Sequence, residues 1–299
     1  NVATSVNKEK HSQPPVGGKV LLEMYRRYNE SWIVELLLDD LIDWNSWFER
    51  ERKLPPLGIA RLGSAEGSLQ DARFESGLDD SPMYDAPPVT FANEKMQLYD
   101  VGMASMHAMD SAALAELAAA VGRDADAAKL RAAAASQRAL IEAHLWDDAS
   151  GIYVNKNATG SFVRRTSPTS FYALQTGGPS DARADTMVRT WLLSPEHFCV
   201  APDGDFAGNA PDCWWGLPSI ARSDAAFPKL GYWRGYVWGP MAQLTYWSLQ
   251  QYDHVPIVRK GRKALCQQMT ALMLDEWRRN RHICENFNPH RNATECSHL

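Results

Sequence analysis

The sequence predicts an all-α protein, on three observations. Apolar residues recur at helical spacing in several separate segments. These segments come in pairs, joined by Gly- or Pro-marked turns or by long loops. Strongly alternating, strand-like runs are few. Within the 299 residues, Asn1 to Gly18 is a polar segment without the apolar core of a signal peptide, and residues 19–299 are expected to form one helical domain.

In chain order, a short helix is expected over Lys19 to Tyr28 and a longer one over Trp32 to Arg50. The longer helix carries Ile33, Leu36, Leu37, Asp40, Leu41, Trp44, Trp47 and Phe48 at helical spacing. Pro55-Pro56 stops it, because proline lacks the N–H and clashes with the preceding turn. From Lys53 to Val89 no period is sustained, and a loop of this length in a folded protein usually serves function. Glu94 to Val121 and Asp124 to Leu145 form an alanine-rich helical hairpin. Gly122 supplies the stop and Asp124 the next N-cap. Leu145 to Asp148 reads as a turn and Gly151 to Val154 as a short extended segment. Helices resume over Pro168 to Leu174 and Asp181 to Leu193. A second long loop, Pro195 to Pro228, precedes helices over Gly239 to Tyr252 and Val255 to Arg281. The stripes of these last two are Met241, Leu244, Ser248 and Tyr252, then Leu265, Met269, Leu272 and Trp277. The basic run Arg259, Lys260, Arg262 and Lys263 reads as the solvated face of the last helix.

Composition excludes several functions. With 36 acidic against 31 basic residues the formal charge is -5, so no broad positive field exists for nucleic acid. No run approaches the ~20 apolar residues that cross a bilayer. There is no G-x-S-x-G elbow, no phosphate-binding G-x-x-x-x-G-K-[ST] loop and no H-E-x-x-H metal site. The five cysteines, Cys199, Cys213, Cys266, Cys284 and Cys296, form no C-x-x-C pair, and spacing does not assign their connectivity. His107 and His282 have side chains that ordinarily titrate near neutrality, but no spacing makes either a ligand or a base. Asn29, Asn157 and Asn292 each begin an N-glycosylation pattern.

Carboxylates concentrate in two loops, Phe74 to Asp85 and Cys284 to Pro289. Two carboxyl groups brought from separate loops to one pocket suit glycoside hydrolysis. One protonates the leaving oxygen while the other activates water or attacks directly. Aromatic residues point the same way. Trp214, Trp215, Trp233, Trp238 and Trp247 lie within 34 residues, and all but Trp247 sit in or beside Gly- and Pro-rich loops. Indole faces pack against the apolar faces of sugar rings; Trp247, within a helix, is expected in the core.

At these loops the sequence resembles the catalytic domain of family 63 glycoside hydrolases, and within that family the processing α-glucosidases that trim mannosyl-oligosaccharides. The segments that carry the resemblance are Glu75 to Asp85 (ESGLDDSPMYD), Gly216 to Ile220 (GLPSI), Tyr232 to Pro240 (YWRGYVWGP) and Glu285 to Pro289 (ENFNP), in the family order. Trehalases and related toroid enzymes share a looser form of the first. The resemblance implies a partial (α/α)6 toroid over 19–299 and inverting hydrolysis with no cofactor and no metal in the chemical step. It implies Asp79 as general acid and Glu285 as general base, with Glu75 and Asp80 as supporting carboxylates. Arg234, Trp233, Trp238, Trp214, Trp215 and Tyr84 would meet the substrate. The implied substrate is the terminal α-1,2-linked glucose of the N-glycan precursor in the endoplasmic reticulum lumen. There the sequons would be used, and a full-length parent would carry a membrane anchor absent from this chain. The alternatives are a toroid α-glycosidase acting on small glucosides or trehalose, or an inactive, carbohydrate-binding truncated homologue.

Overall fold

The structure, a computed structural model, describes residues 11–53, 55–64, 67–200, 216–290 and 296–297. The chain is mostly helical and divides into two compact units that interleave in sequence. The first holds Asn1–Asp79, Ala86–Leu145 and Asn155–Phe162; the second holds Asp80–Asp85, Trp146–Val154 and Val163–Leu299. Among the described residues, no helix is long and apolar enough to cross a membrane.

In the first unit, α1 (Gly17–Tyr28) and α2 (Ser31–Glu51) pack on α4 (Val101–Ala120), with α3 (Leu69–Ser76) between α2 and α4 in sequence. Two glycines permit the entry to α1. A Cβ on Gly17 would stand 2.6 Å from Leu41, and one on Gly18 would stand 2.6 Å from Leu114. The core is aliphatic, built from Leu21, Leu22, Val34, Leu38, Leu114, Leu117 and Leu130. α4 and α5 (Asp124–His144) form the expected alanine-rich hairpin, with Gly122 in the left-handed region at φ 75°. Two details differ from expectation. Arg123 is the N-cap of α5, so Asp124 is its first helical residue, where it still favours the helix dipole. The α4 helix starts at Val101, because 91–99 is taken up by two-residue strands, and Leu98–Tyr99 pairs with Asn155–Asn157. Pieces this short carry no period for a sequence to display.

The inward face of α2 also departs from the predicted stripe. Val34, Leu38, Asn45 and Phe48 are buried, whereas Leu36 and Leu37 are exposed. The reason is polar: Asn45 Nδ2 donates to Asp110 Oδ2 at 2.8 Å, and Ser111 Oγ donates to Asn45 Oδ1 at 3.0 Å. Asp110 Oδ1 accepts the N–H of Gly18 at 2.7 Å, so a side chain of α4 caps α1, which has no cap of its own. Nearby His107 is fully buried, and desolvation pushes its pKa down to about 4, so it does not titrate near neutrality.

Burial raises Asp110 from 3.8 to about 6, against the opposing pull of Asn45 and the backbone N–H groups of Gly18 and Lys19. A carboxyl whose folded pKa lies above its unfolded one stabilises the protein fully below the unfolded value. That contribution disappears as pH rises through the folded value. Between pH 4 and 6 the wild type is therefore expected to lose on the order of 2–3 kcal/mol through this group. Asp110→Asn should lack that part of the slope in urea titrations across the same window. An unchanged slope would refute the assignment.

In the second unit, a hairpin pairs Trp146–Asp147 with Ile152–Tyr153. Ser167 caps the 3₁₀ segment Pro168–Thr176 and Ser180 caps α6 (Asp181–Met187), which continues as a π turn over Val188–Leu192. α7 (Gly239–Gln250) and α8 (Pro256–Asn280) pack together, and the close approach of α8 to the π turn runs through Gly261. A Cβ there would lie 3.0 Å from both Val188 and Leu192. Met241, Ser248, Leu265, Met269 and Leu272 are buried as their spacing predicts, but Trp277 is 46% exposed. The basic run on α8 is largely solvated, with Arg262 turned to Asp253 and Tyr246.

Candidate active site

The first acidic segment begins inside a helix, although no period marks it in the sequence. Ser68 caps α3 by accepting the N–H of Asp71, and Gly77 ends it at φ 70°. Glu75 thus lies on the last turn of α3 and is 1% exposed. Its Oε1 accepts from Arg52 Nη2 at 2.6 Å and from Ser12 N at 3.2 Å. Its Oε2 accepts from Arg52 Nε at 2.7 Å and from Gly63 N at 2.6 Å. Burial pushes the Glu75 carboxyl above its usual pKa, and Arg52 and the two backbone donors pull it back. All its hydrogen-bonding capacity is directed at these partners, so the structure makes Glu75 an anchor of the segment. Gly63 is required here, since a Cβ would stand 2.8 Å from the Arg52 guanidinium carbon.

Asp79 follows two residues after the αL glycine, half-buried, with its carbonyl accepting from Gln70 Nε2 at 2.8 Å. It ends the first stretch of the first unit, and Asp80 begins the first stretch of the second. Asp80 Oδ1 accepts the backbone N–H of Trp233 at 2.9 Å, and its Oδ2 lies 3.7 Å from Arg234 Nε. Ser81 caps the 3₁₀ turn Pro82–Tyr84, which buries Met83 and Tyr84 at 1% exposure each. Asp85 receives Arg234 through both terminal nitrogens, at 2.6 and 3.1 Å. The same carboxylate takes Arg165 Nη1 at 3.1 Å, and Arg165 grips Asp224 through Nε at 2.9 Å and Nη2 at 2.6 Å. Arg234, expected to hold sugar hydroxyls, therefore spends its fork on Asp85. Arg165 and Asp224 escaped sequence reasoning because no local pattern announces partners 80 and 59 residues away.

The other motifs converge in the second unit by backbone pairing. Gly216 adopts φ 82°, where a Cβ would stand 2.9 Å from Val237. Pro218 bridges to Val237, Ser219 N donates to Tyr236 O at 3.0 Å, and Gly235 N donates to Ser219 Oγ at 2.9 Å. Strand Val237–Trp238 pairs with Asn286–Phe287, which pairs in turn with Cys296–Ser297. Trp233 and Trp238 are 6% and 5% exposed and stack on each other at 3.6 Å and 9°. Glu285 is exposed beside this buried ladder, and its carboxylate makes no hydrogen bond or ion pair among the described residues. The structure thus joins three motifs to Asp80 and Asp85 and anchors Glu75 in the first unit. Trp214, Trp215 and Asn292 lie outside the described residues. Asn29 is exposed at the left-handed cap of α1, while Asn157 Oδ1 accepts from Thr159 Oγ1 and Ser161 N.

Cys199 and Cys284 are each disulfide-bonded and Cys266 is free. Glu276, His282 and Cys284 bring ligand-type atoms within 4.8 Å of one another, yet a disulfide sulfur is no thiolate ligand. Glu276 already faces His282 Nδ1 at 3.5 Å and Asn280 at 2.8 Å. That cluster is a polar network at the end of α8.

Acidic and aromatic loops on a helical frame fit the class of a glycoside hydrolase domain. The chain belongs to the mannosylglycerate hydrolase MGH1-like glycoside hydrolase domain family, whose model matches residues 1–298. Among solved structures, it is similar to a GH63 mannosylglycerate hydrolase from Thermus thermophilus in complex with glucose. The TM-score is 0.71 at 20% identity, over 94% of this chain and 71% of that one. An uncharacterized conserved protein from the same organism matches with TM-score 0.72 at 19% identity, over 96% and 74%. Neutral trehalase Nth1 from Saccharomyces cerevisiae matches with TM-score 0.66 at 15% identity, over 93% and 59%. At these identities the likeness speaks for the fold. No curated protein sequence matches the chain significantly.

Proposed function

We propose that the domain is an inverting α-glycosidase with Asp79 as general acid and Glu285 as general base. One observation carries this reading: Glu285 presents an exposed carboxylate, without a hydrogen bond or ion pair among the described residues, beside the buried ladder of its motif. Glu75 is held by Arg52 and Gly63, Asp80 by the Trp233 backbone, and Asp85 by Arg234 and Arg165. Asp79 is assigned as the acid by its position in the Glu75 to Asp85 motif. In this mechanism Asp79 protonates the glycosidic oxygen while Glu285 draws a proton from water on the opposite face of the ring. An inverting mechanism of this kind requires roughly 6.5–9.5 Å between its two carboxyl groups. The helical pairs would form part of an (α/α)6 toroid, with Trp233, Trp238, Trp214 and Trp215 around the hexose. No cofactor is invoked.

The leading substrate is the terminal α-1,2-linked glucose of the N-glycan precursor, met in the endoplasmic reticulum lumen by a membrane-anchored parent. The disulfides at Cys199 and Cys284 and the exposed sequon at Asn29 support an oxidising, glycosylating compartment. A second reading, hydrolysis of a small α-glycoside such as mannosylglycerate, is favoured by the description of the matching family. Incubation with a triglucosylated N-glycan, α-mannosylglycerate and trehalose separates them. We expect glucose from the glycan alone, released as the β-anomer. Release of the α-anomer would sink the inverting mechanism, and turnover of mannosylglycerate alone would select the second reading. Binding without any release would identify a carbohydrate-binding homologue.

A further inference from the structure

We infer that the side-chain amide of Asn286 and the indole N–H of Trp233 form a recognition pair for two adjacent hydroxyls of a hexopyranose. The inference rests on the glycosidase reading above and gives that site a specific contact.

Asn286 is wholly buried, and neither its Oδ1 nor its Nδ2 has a hydrogen-bond partner among the described residues. Buried polar atoms are almost always paired, because an unpaired one forfeits its hydration for nothing. An amide with both ends orphaned destabilises the fold unless something else occupies the position. Trp233 Nε1 is a second orphan, also buried. The two are linked through Trp238. Asn286 is its ladder partner, so their side chains stand on the same face of the ladder, and Trp233 stacks on its ring. Gln268 on α8 carries a similarly orphaned amide, but no aromatic pair or ladder contact ties it to the motif segments.

The inventory of atoms selects the ligand. The amide sets one acceptor beside one donor, and the indole adds a second donor. A cation would leave the donors unmet and an anion would leave Oδ1 unmet. Two neighbouring hydroxyls satisfy all three, one donating to Oδ1 and the other accepting from Nδ2, with the indole N–H completing either. Both groups are buried, so a sugar reaches them only through a local shift in packing. Trp238 is held by its own bond from Nε1 to Tyr232 O at 2.9 Å, whereas no hydrogen bond holds the Trp233 indole among the described residues. Tryptophan emission should therefore change on binding.

Calorimetry on the Glu285→Gln protein, whose turnover is expected to be slow, tests the inference. The probes are methyl α-D-glucopyranoside and its 2-, 3- and 4-deoxy forms, or the mannoside series if mannosylglycerate is the substrate. Loss of either of two adjacent hydroxyls should weaken binding by about tenfold to a hundredfold. Adding Asn286→Leu should lower the parent sugar to the same level and erase the difference between it and those two deoxy forms. The melting temperature should hold or rise, since the amide has no partner to lose; Asn286→Ala is carried alongside in case leucine does not fit. Equal weakening of all four sugars, undiminished binding of the parent, or an ordered water retained on the amide beside bound sugar would overturn the pair. If the Asn286 protein binds none of the probes, the glycosidase reading fails and takes this inference with it.

Discussion

Asp79→Asn and Glu285→Gln should each reduce turnover by about 10²–10⁴-fold, the usual span for removing one general acid or base. Glu285→Gln should not lower the melting temperature, because Glu285 is exposed and its carboxylate has no partner among the described residues. The two variants are distinguishable from each other. A substrate whose leaving group departs without protonation, such as an α-glycosyl fluoride, bypasses the acid and not the base. It should therefore restore Asp79→Asn and leave Glu285→Gln inactive. Asp80→Asn is the internal control. Its retained Oδ1 still accepts the Trp233 N–H, so we expect a modest loss at most. If Asp80→Asn is as inactive as Asp79→Asn and the fluoride restores it instead, the acid is one residue later than assigned.

The helices were legible where local chemistry marks them. α5 begins beside Gly122 and Arg123 and ends at the Trp146 turn, and α7 and α8 open on prolines at Pro240 and Pro256. The motif segments stood out because each is contiguous in sequence. What the sequence concealed is polar and distant. Asp110 caps a helix 92 residues earlier, Arg165 reaches Asp85 across 80 residues, and Arg52 meets Glu75 across 23. Such pairs depend on tertiary placement, and neither hydrophobic period nor turn residues encode them. The same blindness explains α2. Leu36 looked like core by spacing, but the face that turns inward is the one whose Asn45 completes the Asp110 network. Arg234 shows the limit for function: its motif marked it as important, and only the structure revealed that its fork is given to Asp85.

Arg52→Ala should be the most damaging structural change near the site, destabilising the fold by about 3–5 kcal/mol, as expected when one partner of a buried ion pair is removed. Arg52 is 2% exposed, meets Glu75 through two nitrogens, and lies over the Trp47 ring at 4.4 Å. Without it, Glu75 is left as a buried carboxylate with only the N–H groups of Gly63 and Ser12. Protonation then becomes its relief, so the variant should regain stability as pH falls, opposite to simple acid denaturation. Replacing both partners by apolar residues, as in Arg52→Met with Glu75→Leu, removes the stranded charge and should recover part of the loss. Recovery stays incomplete because the Gly63 N–H is left unpaired. The double variant also decides what Glu75 does for catalysis. As an anchor it acts by position, so the double variant should lose activity without moving the alkaline limb of the pH–rate profile that reports the acid. Denaturant titration and that profile, measured on the same preparations, test both halves. A single Arg52→Ala loss below about 1 kcal/mol, the scale of a solvent-exposed pair, would mean the pair is not buried as described. A displaced alkaline limb would mean that the charge of Glu75 tunes Asp79 directly.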